Sequence, residues 1–238
     1  MSSLRVNRIA AKLRRRVYTA VSDYYLSNVT VQERLGRQQF FYHAFKALAF
    51  NGIDGDYAEF GCWGAVTFDL AHIESTRHAH PAHLWAFDSF RGLPEGKDER
   101  DTHPRWIEAD MAMSIDEFHK QCQTNGIPRA AYSVVEGYYD QSLPSIGDGD
   151  PRNIAMAYID CDLYSSTSTV LRFLQPRLKH GMILAFDDYF SWSSESISGE
   201  RAALEDFLES QTTWTVTPYQ TFSWSGKAFV VERRKGDL

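Results

Sequence analysis

At 238 residues, 43% of them hydrophobic and 14% aromatic, the chain has the length and apolar content of one sizeable α/β domain rather than a disordered segment. A formal charge of −6 excludes a general nucleic-acid binder, which needs a basic face to meet phosphates. No apolar run approaches the roughly 20 residues that span a bilayer. The three cysteines, Cys62, Cys122 and Cys161, show no CxxC spacing, which argues against a disulfide framework or a zinc site. A cytoplasmic protein with reduced thiols is therefore expected.

The charge is unevenly spread. Residues 1–16 carry Arg5, Arg8, Lys12, Arg14, Arg15 and Arg16 without an acid, leaving 19 of the 25 basic residues to set against 31 acidic ones. Such a start reads as a solvated tail. Folded as a helix, Leu4, Ile9 and Leu13 would line one face of a basic arm suited to oligomerisation or a membrane surface. Val31, Leu35, Phe40, Phe41, Phe45 and Leu48 then recur at near-helical spacing until Asn51-Gly52. Residues 1–50 are accordingly assigned to a helical arm, a lid or oligomerisation segment, and 51–238 to the main domain.

Asp56 to Phe60 reads as the first strand, followed by Gly61-Cys62-Trp63-Gly64 and an apolar, helix-compatible run from Val66 to Ile73. Strand, glycine turn and helix let a backbone approach a ligand that faces the helix N-terminus. Taken alone, Gly-x-x-Gly fits a plain tight turn equally well. The next strand, His83 to Phe87, ends at Asp88, where such folds commonly place an acid on a ribose diol. His78, His80 and His83 alternate before it, which fits an exposed loop better than a metal site. The polar stretch from Arg91 to Met113 has the length of a lid. Ser114-Ile115-Asp116-Glu117 is a capping box opening a helix that runs to Asn125-Gly126. Tyr132 to Glu136 is the third strand, and Gly137 begins a turn and a short helix.

Two apolar runs, Ile154 to Ile159 and Met182 to Phe186, have the continuous character of parallel strands covered on both faces. Both end in aspartates: Asp160 and Asp162 after the first, Asp187 and Asp188 after the second. Ser165-Ser166-Thr167 and the apolar face of Val170, Leu171, Leu174 and Leu178 supply the crossover helix between them. If the extended backbone persists past Ile159, Asp160 and Asp162 share a face, with the neighbouring strand only about 4.8 Å away. Two like charges about 4 Å apart repel by roughly 4 kcal/mol at an effective dielectric of about 20. Bound Mg, Mn or Ca, hard cations that take oxygen ligands, would be the simplest resolution. Aspartates that cap turns are the plainer alternative. A helix from Gly199 to Glu209 and an antiparallel pair, Trp214 to Pro218 with Lys227 to Val231, complete one doubly wound sheet.

Several of these motifs occur together and in order. Glu59-Phe60-Gly61-Cys62-Trp63-Gly64, Phe87-Asp88-Ser89-Phe90-Arg91-Gly92-Leu93-Pro94, Glu136-Gly137 with Ser142-Leu143-Pro144, Asp160 to Thr167, and Asp187-Asp188-Tyr189 resemble the macrocin O-methyltransferase (TylF/MycF) family of class I S-adenosylmethionine-dependent methyltransferases. The likeness covers most of residues 50–190. It implies a single Rossmann-like domain with a mostly parallel seven-stranded sheet, helices on both faces and an N-terminal helical extension. It also implies that Glu59, Phe60, Gly61, Trp63, Asp88, Ser89, Gly137 and Asp160 bind S-adenosylmethionine, Gly61 and its neighbours at the methionine part and Asp88 at the ribose. By the same resemblance, Asp160, Asp187 and Asp188 hold Mg2+, Asp162 is the general base, and the acceptor is a sugar hydroxyl, often one of a vicinal pair. The family usually continues its glycine loop with a basic residue and a glycine where this chain has Gly64 and Ala65, a departure that bears on how the cofactor's carboxylate is held.

Rival readings are a catechol-like phenol acceptor and an Asp-x-Asp glycosyltransferase that holds a nucleotide sugar through a cation. An NAD-dependent oxidoreductase would leave Asp187 and Asp188 without a task, and a non-catalytic scaffold would leave four acids without one. Trp106, Trp192 and Tyr189 suit stacking on a sugar or a phenol ring. The basic arm and exposed aromatics are compatible with a homodimer.

Overall fold

The computed structural model describes the backbone of residues 2–234 and the side chains of residues 12–234. Its centre is a seven-stranded sheet in the order β3-β2-β1-β4-β5-β7-β6. The strands are β1 (Asp56–Phe60), β2 (Leu84–Asp88), β3 (Tyr132–Glu136), β4 (Ile154–Ile159), β5 (Ile183–Phe186), β6 (Trp214–Phe222) and β7 (Gly226–Arg233). The first five run parallel, whereas β7 pairs antiparallel with both β5 and β6. Chain order reverses between β1 and β4, and a doubly wound sheet opens its ligand crevice at that switch point, beyond the carboxyl ends of the strands.

Among the described residues there are seven α-helices: α1 (Ser2–Ser27), which extends from α2 with its described side chains largely exposed, and α2 (Val29–Asn51), α3 (Val66–Arg77), α4 (Ile115–Thr124), α5 (Tyr139–Ile146), α6 (Tyr164–Leu174) and α7 (Gly199–Glu209), which pack about the sheet. Every residue of β4 is buried, as its unbroken apolar run requires. Alternation along the strands divides the core between two faces. Phe40, Phe41 and Phe45 of α2 pack with Phe68 of α3 and Phe118 of α4 on one face. Leu143 of α5, Val170, Leu171 and Leu174 of α6, and Leu204 of α7 fill the other.

Local signals explain most element ends. Asn28 caps α2 by accepting the Val31 N–H at 3.1 Å, and Gly52 closes that helix in the left-handed conformation. The capping box of α4 forms as expected: Ser114 Oγ accepts the Glu117 N–H at 3.3 Å, and Glu117 Oε2 accepts the Ser114 N–H at 2.9 Å. Ser114→Ala is expected to remove about 1 kcal/mol of stability. Calorimetry should show this as a fall of about 2–4 °C in Tm.

Three expectations change. The basic start is a helix rather than a solvated tail, because Ala, Leu, Lys and Arg without Gly or Pro favour helix. Among its described side chains Leu13, Val17 and Val21 are exposed; those of Leu4, Arg5, Arg8 and Ile9 lie outside the described residues. Helix α6 starts at Tyr164, ahead of the serine pair, and its free Ser165 N–H is met at 2.9 Å by Asp101 Oδ1 from the long polar loop. The histidines before β2 are not simply exposed. His80 is buried against Phe45 with Nε2 2.9 Å from the Ile53 carbonyl, and His83 Nε2 lies 2.9 Å from Ser133 Oγ. Among the described residues no helix is long and apolar enough to cross a membrane.

Candidate active site

The glycine turn after β1 is shaped by close strand packing. Gly61 holds φ at 95°, and its N–H donates to the Phe87 carbonyl at 2.9 Å. A Cβ at this position would stand 1.8 Å from the Asp160 carbonyl oxygen, so no side chain fits there. Trp63 to Ala65 then form one tight turn into α3. Ala65, where the resemblance expects glycine, takes the left-handed conformation itself, at φ 53° and ψ 24°. The turn therefore keeps a glycine-like shape, at a strain of roughly 1–2 kcal/mol.

Above this turn lies a cavity of ≈ 400 Å3, lined by Gly61, Trp63, Asp88, Ser89, Asp160 and Asp162 among others. That volume falls within the range of small-molecule sites. Asp88 is fixed from below: its Oδ2 accepts the Cys62 N–H and its Oδ1 the Phe90 N–H, each at 2.7 Å. Burial raises its pKa against these hydrogen bonds. Two N–H donors leave a carboxylate with spare lone pairs for a diol. Tyr138 and Tyr139, following β3, and Lys97 and Met111, from the long loop, complete the walls.

Three of the residues expected at the cofactor sit beneath or beside the cavity instead of lining it. Glu59 is wholly buried, where it accepts from the Tyr57 hydroxyl and, at 2.8 Å, from Thr67 Oγ1. Burial pushes its carboxyl up to about 8, despite those hydrogen bonds. Phe60 is buried and stacks on Phe87 with ring centres 4.7 Å apart. Gly137 donates its N–H to the Asp88 carbonyl at 2.9 Å, tying β3 to β2 at the rim.

The aspartates meet at the adjoining rim. Asp160, Asp187 and Asp188 each present one carboxylate oxygen, and the three atoms lie within 4.8 Å of one another. Asp162 arrives differently from expectation. The extended backbone stops at Ile159, and Asp162 adopts a left-handed φ of 59°. Its buried carboxyl still reaches this group, where burial and the Asp188 charge raise its pKa. Burial and neighbouring acids likewise raise Asp160 and Asp188.

Nothing in the spacing of the sequence announced the partners of this cluster. Arg37, on α2, grips Asp187 with two hydrogen bonds, Nε to Oδ1 at 2.9 Å and Nη2 to Oδ2 at 2.5 Å. Its Nη1 also meets Glu33 at 3.1 Å and Ser223 Oγ at 3.4 Å. Burial opposes the charge on Arg37, but the Asp187 contacts outweigh it and raise the pKa overall. The Tyr158 hydroxyl donates to Asp187 Oδ1, and buried Glu200 packs behind both acid-bearing segments. One guanidinium against five crowded carboxyls leaves a shortage of positive charge, and an all-oxygen donor set fits a hard divalent cation.

Of the tryptophans only Trp63 lines the cavity, among the described residues. Trp63, Trp192 and Trp224 are exposed, whereas Tyr189 is buried with its ring 5.4 Å from Phe229 and is not free to stack on a ligand. Trp106 lies tilted against His103, ring centres 4.3 Å apart, within the long loop.

Known proteins resemble this chain in sequence and in fold. The family described as Macrocin-O-methyltransferase (TylF) matches residues 16–226. The chain is 30% identical over 165 residues to the 8-demethyl-8-(2,3-dimethoxy-alpha-L-rhamnosyl)-tetracenomycin-C 4'-O-methyltransferase of Streptomyces olivaceus, covering 66% of this chain and 59% of that enzyme. It is 26% identical over 145 residues to the Demethyldecarbamoylnovobiocin O-methyltransferase of Streptomyces niveus, covering 58% of this chain and 54% of the other. The matched part thus spans less than two thirds of either relative. The solved structure of the O-methyltransferase NovP superposes with a TM-score of 0.70 at 19% identity, over 87% of this chain and 89% of that one, which shows a common fold. With a match that runs from within α1 to the start of β7, the chain belongs to the macrocin O-methyltransferase (TylF) family.

Proposed function

We propose that this protein is an S-adenosylmethionine-dependent O-methyltransferase that uses Mg2+ and acts on a hydroxyl of a sugar or glycosylated natural product. One observation carries the reading: the cavity over the glycine turn and Asp88 is walled by Asp160 and Asp162, and Asp160 also belongs to the three-acid cluster. Cofactor and acceptor would therefore meet along one rim. Gly61, Trp63, Asp88 and Ser89 would hold S-adenosylmethionine; Asp160, Asp187 and Asp188 would hold Mg2+. When bound, the cofactor supplies an electrophilic methyl group, and the cation acidifies a ligated hydroxyl.

The chain's own groups supply the rest. Asp162, whose buried carboxyl lines the cavity beside the acid cluster, takes the proton of the acceptor hydroxyl. Asp88 fixes the cofactor end, and the acid cluster fixes the acceptor end, so alignment is set before reaction. Exposed Trp192, next to the Ser191 whose hydroxyl donates to Asp188, offers a flat apolar face on which a sugar ring would stack. A sugar acceptor is supported by the relative named for a rhamnosyl-tetracenomycin substrate. Family membership argues against the glycosyltransferase reading of Asp160 and Asp162.

Isothermal titration with S-adenosylhomocysteine, with and without Mg2+, tests the reading. Micromolar binding is expected in both conditions, with methyl transfer to glycosylated acceptors lost in EDTA and restored by Mg2+. Absence of binding in either condition overturns it.

A further inference from the structure

We propose that Glu200 is a positioning residue that sets the spacing of the cation-binding acids by bridging the two chain segments that carry them. The inference rests on the cation reading above and adds a residue that is not itself a ligand.

The local sequence delivers this side chain to an unusual place. Ser198 caps α7 by accepting the Arg201 N–H at 3.1 Å. The next residue, Gly199, lets the helix start press against the turn that holds Asp162. A Cβ there would lie 2.7 Å from the Asp162 carbonyl oxygen and 2.5 Å from the Tyr164 nitrogen. Glu200 is thereby carried, wholly buried, between the ends of β4 and β5.

Each of its oxygens has a separate task. Oε1 accepts the N–H of Cys161, the residue between Asp160 and Asp162, at 3.1 Å. Oε2 accepts the N–H of Asp188, the neighbour of Asp187, at 2.9 Å. A carboxylate is the side chain that accepts at both of its terminal atoms; an amide accepts at one and donates at the other. Burying an acid beside Asp162 and Asp188 is electrostatically unfavourable. The double acceptor geometry and a place in the first turn of α7, where the helix dipole favours an anion, offset part of that cost, and burial followed by the Asp188 and Asp162 charges still holds the Glu200 carboxyl above the usual range. With both oxygens engaged by backbone amides, Glu200 holds the acid-bearing segments and leaves cation contact to the aspartates.

The test is calorimetric titration of the full chain and of Glu200→Gln with MgCl2 and, separately, with S-adenosylhomocysteine in the absence of divalent cation. The glutamine must turn an N–H2 toward one of the two backbone N–H groups, so one half of the bridge is lost. Mg2+ affinity is expected to fall about 10–100-fold, as when a residue that orients metal ligands is removed. S-adenosylhomocysteine affinity should stay unchanged, and the EPR spectrum of bound Mn2+ should differ from wild type. Glu200→Asp, which keeps the charge but is too short to reach both segments, is expected to weaken Mg2+ binding as well. Unchanged Mg2+ affinity in either folded variant would overturn the proposal, as would equal losses of cation and S-adenosylhomocysteine binding. Wild-type protein that binds S-adenosylhomocysteine but neither Mg2+ nor Mn2+ would sink the cation reading and this inference with it, while leaving the methyltransferase reading in place.

Discussion

Asp162→Asn is expected to lower kcat by about 10²–10⁴, the range that a positioned acid or base supplies, while S-adenosylhomocysteine affinity and Tm stay at wild-type values. Asparagine is nearly isosteric, and it tolerates the left-handed φ of 59° at this position better than most residues. The substitution thus preserves the turn that links β4 to α6 and removes only the ability to accept a proton. Single-turnover methyl transfer measures the step directly. A folded variant with the wild-type rate would take the base role away from Asp162. Lost S-adenosylhomocysteine binding would instead make Asp162 part of the cofactor's support, since it also lines the cavity.

Both substrates' halves of the site were legible where residues close in sequence carry the signal. Apolar runs ending in aspartate gave β4 and β5, because a parallel strand covered on both faces must be apolar until it reaches the rim. Strand, glycine turn and helix gave β1 and α3 for a similar reason. What stayed hidden depends on chain segments that meet only after folding. Arg37 lies 150 positions from Asp187, and Glu200 39 from Cys161, so no spacing rule connects them. Glu59 and Phe60 belong to the motif that carried the resemblance, yet strand alternation sends their side chains to opposite faces of the sheet and into its core.

The contact from Arg37 also changes how the N-terminal helices are understood. Helix α2 contributes Phe40, Phe41 and Phe45 to the core and a guanidinium to the acid cluster, so the same segment supports fold and site. Asp187 is consequently the acid least available to a cation. Its Oδ1 already accepts from Arg37 and Tyr158, and its Oδ2 from Arg37. A cation held at this cluster, as proposed above, would share that carboxylate with Arg37, and the placement of α2 would then depend on occupancy of the rim.

Gly61→Ala should be the most damaging small substitution in the chain, weakening S-adenosylhomocysteine binding about 100-fold, the equivalent of ~3 kcal/mol. Backbone conformation alone does not explain such a loss. Ala65, four residues on, already holds φ 53° within the same turn, at a strain of roughly 1–2 kcal/mol. The difference at Gly61 is steric, because its added methyl would meet the Asp160 carbonyl oxygen at 1.8 Å, and backbone cannot swing aside as a side chain can. Separating these strand ends would break the hydrogen bond from the Asp160 N–H to the Phe60 carbonyl, 2.8 Å in this structure. It would shift the glycine turn and Asp160 of the acid cluster together. Overpacking of this kind costs about 1–3 kcal/mol beyond the strain. The two contributions together, about 2–5 kcal/mol, should lower Tm by about 4–20 °C. Titration calorimetry and thermal unfolding check both readouts. A variant that lost stability but bound S-adenosylhomocysteine normally would show that the β1–β4 contact serves the fold, and that the cofactor is held elsewhere in the cavity.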